Sequence, residues 1–267
     1  MTTITIEDNT IHYDKSGDGE PILFVHGSFG HGDVWAEQAR RLSERNTCVR
    51  YDRRGHSRSS RGAAPLSAAR HADDAAALIE ALDLAPCLLV TSSYGSVIGC
   101  EVARRHPALL RGVVLNEPPL FSLDPESGRR LMADIKPTID QAIATSGPRA
   151  GVDAFLSQVC PGLWALCDEV AKERYRANAE IGFADMAAPS SDLDARALGS
   201  IDVPALVLSG TASHPTLPAI ARQLAAALPN ARFVELADCG HVGYAEQPDA
   251  FFAAVSAFAA EQAGQPA

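Results

Sequence analysis

Ser93 follows a short apolar run and immediately precedes a stretch with helical patterning, in Leu88-Leu89-Val90-Thr91-Ser92-Ser93-Tyr94-Gly95-Ser96. A strand that turns sharply into a helix is the setting in which a serine hydroxyl is held up as a nucleophile, usually written G-x-S-x-G. Here the pentapeptide is Thr91-Ser92-Ser93-Tyr94-Gly95, so the second glycine is present and Thr91 stands where the first would be. The bare motif is therefore incomplete, and the strand, turn and helix context carries the assignment. Ser93 at such a turn would gain from the free N–H groups of the helix N-terminus, which favour developing negative charge. The plainer alternative is a serine that only caps a helix.

Acyl transfer also needs backbone N–H donors for an oxyanion and a base for the serine proton. The segment Ile22-Leu23-Phe24-Val25-His26-Gly27-Ser28-Phe29-Gly30 reads as a strand ending in a glycine-bearing loop, which fits the donor loop. The amides of Ser28 and Tyr94 are the expected oxyanion hole, and Phe29 is expected to face substrate. Neither GxxxxGK[ST] nor GxGxxG is present, which argues against a phosphate loop. His241, in Asp238-Cys239-Gly240-His241-Val242 after the last apolar run, completes a Ser, acid, His chain order and is the expected general base. His106 ends a helix beside Pro107, while His12, His31, His56, His71 and His214 fall in segments expected at the surface. Cys239, two residues before His241, is a weaker candidate nucleophile because a serine arrangement exists elsewhere.

The elements that must position these residues follow from a regular alternation. Apolar runs at 11–13, 22–25, 47–51, 87–91, 112–116, 205–209 and 232–236 alternate with helical patterns at 35–42, 68–82, 94–106, 217–228 and 249–260. The alternating N-terminus adds another strand. This predicts an α/β fold with a mostly parallel eight-stranded sheet flanked by helices. Nearly ninety residues separate Glu117 from the run at Ala205, too many for one crossover. Residues 1–119 and 200–267 are thus expected to form the core and 120–199 a helical cap, with helices at 128–144, 152–158 and 164–181. Pro119, Pro137, Pro148, Pro161 and Pro189 are expected to punctuate the cap, and the tail at 259–267 to fray. The cap's apolar residues, Phe121, Trp164 and Phe183 among them, are expected to line the substrate site together with Val242.

The chain has 267 residues, 46% of them hydrophobic and 21% charged, with net charge −10. That balance argues against nucleic acid as a partner. The cluster Arg50, Arg53, Arg54, Arg58 and Arg61 is expected to be a solvated loop, since charged residues usually stay exposed. No apolar run would span a membrane and no signal peptide is evident, so the expected location is the cytoplasm. The six cysteines show no metal-ligand spacing and are expected to be free thiols. No metal and no cofactor is expected, and homodimerisation is left open.

Over nearly its whole length the sequence resembles the α/β-hydrolase superfamily. Tyr51-Asp52-Arg53-Arg54-Gly55-His56-Ser57-Arg58-Ser59 is similar to the family's D-x-R-G-x-G-x-S segment, and Gln247-Pro248 follows the expected base as in the family. The resemblance implies a structural role for Asp52. It also places an acid after the penultimate strand, where this chain reads Gly210-Thr211-Ala212-Ser213-His214-Pro215 with no carboxylate. An alternative acid site is the end of the sixth strand, and Val113-Val114-Leu115-Asn116-Glu117-Pro118-Pro119 presents Glu117 there. The fungal zearalenone lactonases resemble this arrangement. Glu117 is therefore the expected acid and Asp238 the runner-up, disfavoured because it lies only three residues from His241. The implied activity is cleavage of an apolar ester or lactone through an acyl-enzyme. A C–C hydrolase, a perhydrolase or a small-molecule receptor would share these residues.

Overall fold

The structure, a computed structural model, describes residues 2–188 and 193–263. The expectation attached to Pro189 lies outside that range, as do the last four residues of the tail expected to fray, while residues 259–262 of that tail belong to the final helix, whose Ala259 packs into the core. The strands are β1 (Thr2–Ile6), β2 (Asn9–Ser16), β3 (Glu20–Val25), β4 (Asn46–Tyr51), β5 (Cys87–Ser92), β6 (Leu110–Asn116), β7 (Ala205–Gly210) and β8 (Ala231–Leu236). They form a single eight-stranded sheet in the order β1-β2-β4-β3-β5-β6-β7-β8. β2 is antiparallel to both β1 and β4, and every pairing from β4 to β8 is parallel. This is the expected mostly parallel sheet.

Helices α1 (Ala36–Leu42), α2 (Ala68–Ala81) and α3 (Tyr94–Arg105) follow β3, β4 and β5. After β6 come α4 (Pro125–Ser146), α5 (Pro148–Val159), α6 (Pro161–Leu166), α7 (Glu169–Ala177), α8 (Ala179–Ala187) and α9 (Ala195–Leu198). The chain then closes with α10 (Thr216–Ala227), α11 (Gly243–Glu246) and α12 (Pro248–Gln262). The central strands β5, β6 and β7 are buried almost throughout and carry mainly apolar residues, because both sheet faces are covered, with their buried polar residues Thr91, Ser92, Asn116 and Ser209 gathered toward the C-terminal ends. On β5, Leu89 joins the cluster built with α2, α3 and α10, while Leu88 and Val90 join the cluster built with α1 and α12. β7 divides in the same way, with Val207 on one side and Leu206 and Leu208 on the other.

Several expectations need correction. The stretch expected as one helix over 164–181 is broken into α6, α7 and α8. Asp168 accepts from the Ala171 amide at 2.8 Å and starts α7 as an N-cap. Asn178 ends α7 and turns its side chain to carbonyls of the 26–30 loop. Pro137 does not punctuate but lies inside α4. Leu131, Ile135 and Ile139 recur at helical spacing there and pack on Leu217, which holds the helix across the missing proline N–H.

The arginine cluster is only partly solvated, since Arg53 and Arg54 are 0% exposed. Arg54 makes a two-pronged pair with Asp74 at 2.7 Å on each oxygen, and a further bond to Asp8 at 2.9 Å. His12, His31, His56 and His71 are likewise buried rather than at the surface, and only His214 of that group is exposed. Paired carboxylates make burial of the arginines affordable where sequence position alone suggested a loop. Among the described residues, no helix is long and apolar enough to cross a membrane.

Candidate active site

In a parallel sheet the C-terminal strand ends and the loops leaving them gather at one edge, where sites of this architecture form. β5 ends at Ser92 and α3 begins at Tyr94, so Ser93 alone makes the turn. Its φ of 55° and ψ of −127° are strained for a residue with a side chain, at a cost on the order of 1–3 kcal/mol. The turn is held by the Ser93 amide donating to Asn116 O and the Ser96 amide donating to Ser93 O, both at 2.8 Å. Thr91 fits in place of the missing glycine because its hydroxyl donates to Val114 O at 2.6 Å. Gly99 makes room for it: a Cβ there would meet the Thr91 methyl at 3.0 Å.

Glu117 follows β6 directly and also has a positive φ, 44°. Its carboxylate is 0% exposed and accepts from Ser209 Oγ at 2.7 Å, Gly210 N at 2.8 Å and Ser213 Oγ at 2.7 Å. The fourth partner is His241, whose Nδ1 lies 2.7 Å from Glu117 Oε2. A carboxylate can only accept here, so Nδ1 carries the proton and Nε2 is left free to accept one. The His241 loop is pinned by Asn116 Nδ2, which donates to His241 O at 2.9 Å. Glu246 grips both flanks, accepting from Gly240 N and Val242 N at 3.1 Å each. Asp238 is exposed, and the His241 ring is taken by Glu117 instead.

Ser28, Ser93, Tyr94 and His241 line one cavity of about 640 Å³. Tyr94 is the first residue of α3, where a backbone N–H has no acceptor within the helix. The far wall is apolar and comes mainly from the chain between β6 and β7: Phe121, Leu131, Met132, Ile135, Phe155, Val159 and Met186. Of the residues expected to face substrate, Phe121 lines the cavity, whereas Phe29, Trp164, Phe183 and Val242 do not. Phe29 is fully buried with its ring edge-on to Phe155 at 5.3 Å and Phe183 at 4.9 Å, so Phe29 and Phe183 join the loop to the helices outside the cavity lining. Trp164 lies edge-on to Tyr175 with ring centroids 6.1 Å apart, and Val242 is buried in the α12 side of the core. Val97 and Leu217 line the cavity and were missed. Val97 lies one helical turn after Ser93 and Leu217 just beyond Ser213, and that spacing is the signal by which they could have been found.

Cys239 is buried, and burial pushes its thiol up to about 12, so it is not ionised at neutral pH. Asp52 accepts from Gly32 N at 2.6 Å and Arg58 Nε at 2.7 Å, holding the loop after β4. Among the described residues, no group of His, Cys, Asp and Glu is placed to hold a metal ion.

The eight-stranded sheet and the residues at its C-terminal edge define an α/β hydrolase. Residues 22–255 match the alpha/beta hydrolase family, and the chain belongs to it. It is 36% identical over 141 residues to the uncharacterized hydrolase YraK of Bacillus subtilis, a match spanning 50% of this chain and 52% of that protein. Among solved structures it is similar to the enol-lactonase from Burkholderia xenovorans LB400, with 26% identity and a TM-score of 0.79 over 96% of this chain and 99% of that one. It is also similar to Est816, described as an N-acyl homoserine lactone degrading enzyme, with 26% identity and a TM-score of 0.76 over 96% and 100%.

Proposed function

We propose that the protein is a serine hydrolase that cleaves apolar carboxylic esters or lactones through an acyl-enzyme, with no metal. The observation that carries this reading is the buried hydrogen bond from His241 Nδ1 to Glu117, made by a ring that lines the same apolar cavity as Ser93. In acylation the His241 Nε2 takes the Ser93 proton as Ser93 Oγ attacks the carbonyl carbon. The Ser28 and Tyr94 amides receive the oxyanion, and His241 then protonates the leaving oxygen. Water, deprotonated by His241, attacks the acyl carbon and frees Ser93. Glu117 orients the ring and stabilises the imidazolium without taking the proton.

Residues 120–199 act as a cap whose apolar wall selects the acyl group. The enol-lactonase and the homoserine lactone degrading enzyme among the similar structures support a lactone as the first substrate class to try. A fluorophosphonate probe is expected to label Ser93 alone, and turnover of aryl esters and lactones is expected to survive EDTA. Labelling that persists in Ser93→Ala, or activity lost to EDTA, overturns the reading.

A further inference from the structure

The loop that carries Ser28 is held by its carbonyl oxygens. Arg53, 0% exposed, donates through Nε to His26 O at 3.1 Å and through Nη2 to Gly27 O at 3.2 Å. Asn178, at the junction of α7 and α8, donates through Nδ2 to Phe29 O at 3.0 Å and Gly30 O at 2.8 Å. The carbonyls on both sides of Ser28 are thus fixed by two buried side chains, one from the sheet edge and one from the helices between β6 and β7. Gly27 O also accepts from His26 Nδ1 at 2.9 Å and from Gly30 N at 3.3 Å.

The Gly27 carbonyl and the Ser28 N–H belong to one planar trans peptide and point in opposite directions. Turning that oxygen toward Arg53 and His26 therefore turns the Ser28 N–H away from them. The peptide lies close to the nucleophile, since a Cβ on Gly27 would come within 2.9 Å of the Ser93 Cβ. Donors gathered on the carbonyl also polarise the peptide and make its N–H a stronger donor. Arg53 is itself held by Asp185 of α8, whose Oδ2 lies 2.8 Å from Nη1, and Asp185 Oδ1 accepts from His71 Nε2 at 2.9 Å.

We infer that Arg53 and Asn178 are positioning residues that aim and polarise the Ser28 amide as an oxyanion donor, so that the helices between β6 and β7 take part in assembling the hole. The inference rests on the serine hydrolase reading. Neither side chain lines the cavity, so neither is expected to contribute to ground-state binding.

The test compares Arg53→Lys and Asn178→Ala with the wild type. Lysine preserves the charge opposite Asp185 but has no fork to hold two carbonyls. Removing an oxyanion donor costs about 10²–10³ in kcat, so a misaimed donor is expected to cost about 10- to 100-fold. KM for an aryl ester should stay within about twofold, and affinity for an arylboronic acid, which forms the tetrahedral adduct on Ser93, should fall by the same factor as kcat. Binding of the matching unreactive amide should be unchanged. Folded variants with wild-type kcat and boronate affinity overturn the inference, as does an equal loss of boronate and amide binding. If Arg53→Lys fails to fold, Asn178→Ala decides alone. A wild-type protein that fluorophosphonate does not label at Ser93 overturns the hydrolase reading and this inference together, whereas normal labelling with indifferent variants overturns only this one.

Discussion

The Glu117 carboxylate accepts hydrogen bonds from two serine hydroxyls, one amide and the His241 ring, with no exposure to solvent. A buried charge needs that many partners, and they fix the carboxylate in one orientation. Glu117→Gln keeps the shape but puts an amide where the ring N–H needs an acceptor. Turnover is expected to fall by about 10³ to 10⁴ while the fold survives, and Asp238→Asn should cost far less. Ser213 stands where relatives with the later acid would carry a carboxylate, and its hydroxyl sits 2.7 Å from Glu117 Oε2. Ser213→Asp alone should therefore be harmful, since like charges about 4 Å apart repel by roughly 4 kcal/mol at a partly screened site. In the Glu117→Gln background the same change should restore part of the lost turnover. The kcat values of the four proteins in this cycle check both statements, and a harmless Ser213→Asp in the wild type would contradict the contact. Glu117 was legible only because residues 210–215 lack a carboxylate; Ser213 as its partner was not, because the contact joins residues 96 apart.

At the scale of elements, the helices between β6 and β7 furnish the apolar wall facing Ser93 and Tyr94. Met132 is half-buried on that wall and has no polar partner to lose. Met132→Trp should fill part of the cavity and lower kcat/KM for long acyl chains about tenfold more than for acetyl, by steric exclusion in the pocket. Labelling by a small fluorophosphonate should not change, and equal effects on all acyl lengths would count against the wall. The central strands could be located within a few residues because strands covered on both faces read as short, nearly continuous apolar runs. The helices of the wall could not, because their breaks are made by side chains. Asp168 caps α7, and Asn178 is recruited by carbonyls nearly 150 residues earlier in the chain. The same limit explains Phe29 and Phe183: aromatic size marks a residue as apolar, but only packing decides whether it faces a cavity or another ring.

Across the whole molecule, a net charge of −10 coexists with a buried basic patch of arginine and histidine around the 26–30 loop. His26 and His56 are held well below their ordinary value, first by burial and then by the Arg53 charge. His71 is lowered for the same reasons in the same order, and His31 chiefly by burial. The hydrogen bonds agree with neutral His26, whose Nδ1 donates to Gly27 O while Nε2 accepts from the Arg53 amide. Unfolding frees these rings to take up protons near pH 6.5 that the folded state refuses. Below about pH 6.5 the unfolded chain therefore binds more protons, and stability must fall as the pH drops toward the lower folded values. Each ring contributes a slope of up to roughly 1.4 kcal/mol per pH unit in that window. The carboxylates act elsewhere: Asp8, lowered to about 2 chiefly by the Ala63 amide and Arg54, loses its contribution only between about pH 4 and pH 2. Urea midpoints measured from pH 8 to pH 5 are expected to be flat above pH 7 and to decline steadily below it. His56→Gln, which has no proton to gain on unfolding, should reduce the decline by about one proton. A stability that is level from pH 7 to pH 5 would mean that these rings are already charged in the fold, and the neutral hydrogen-bond pattern around Arg53 would then be wrong.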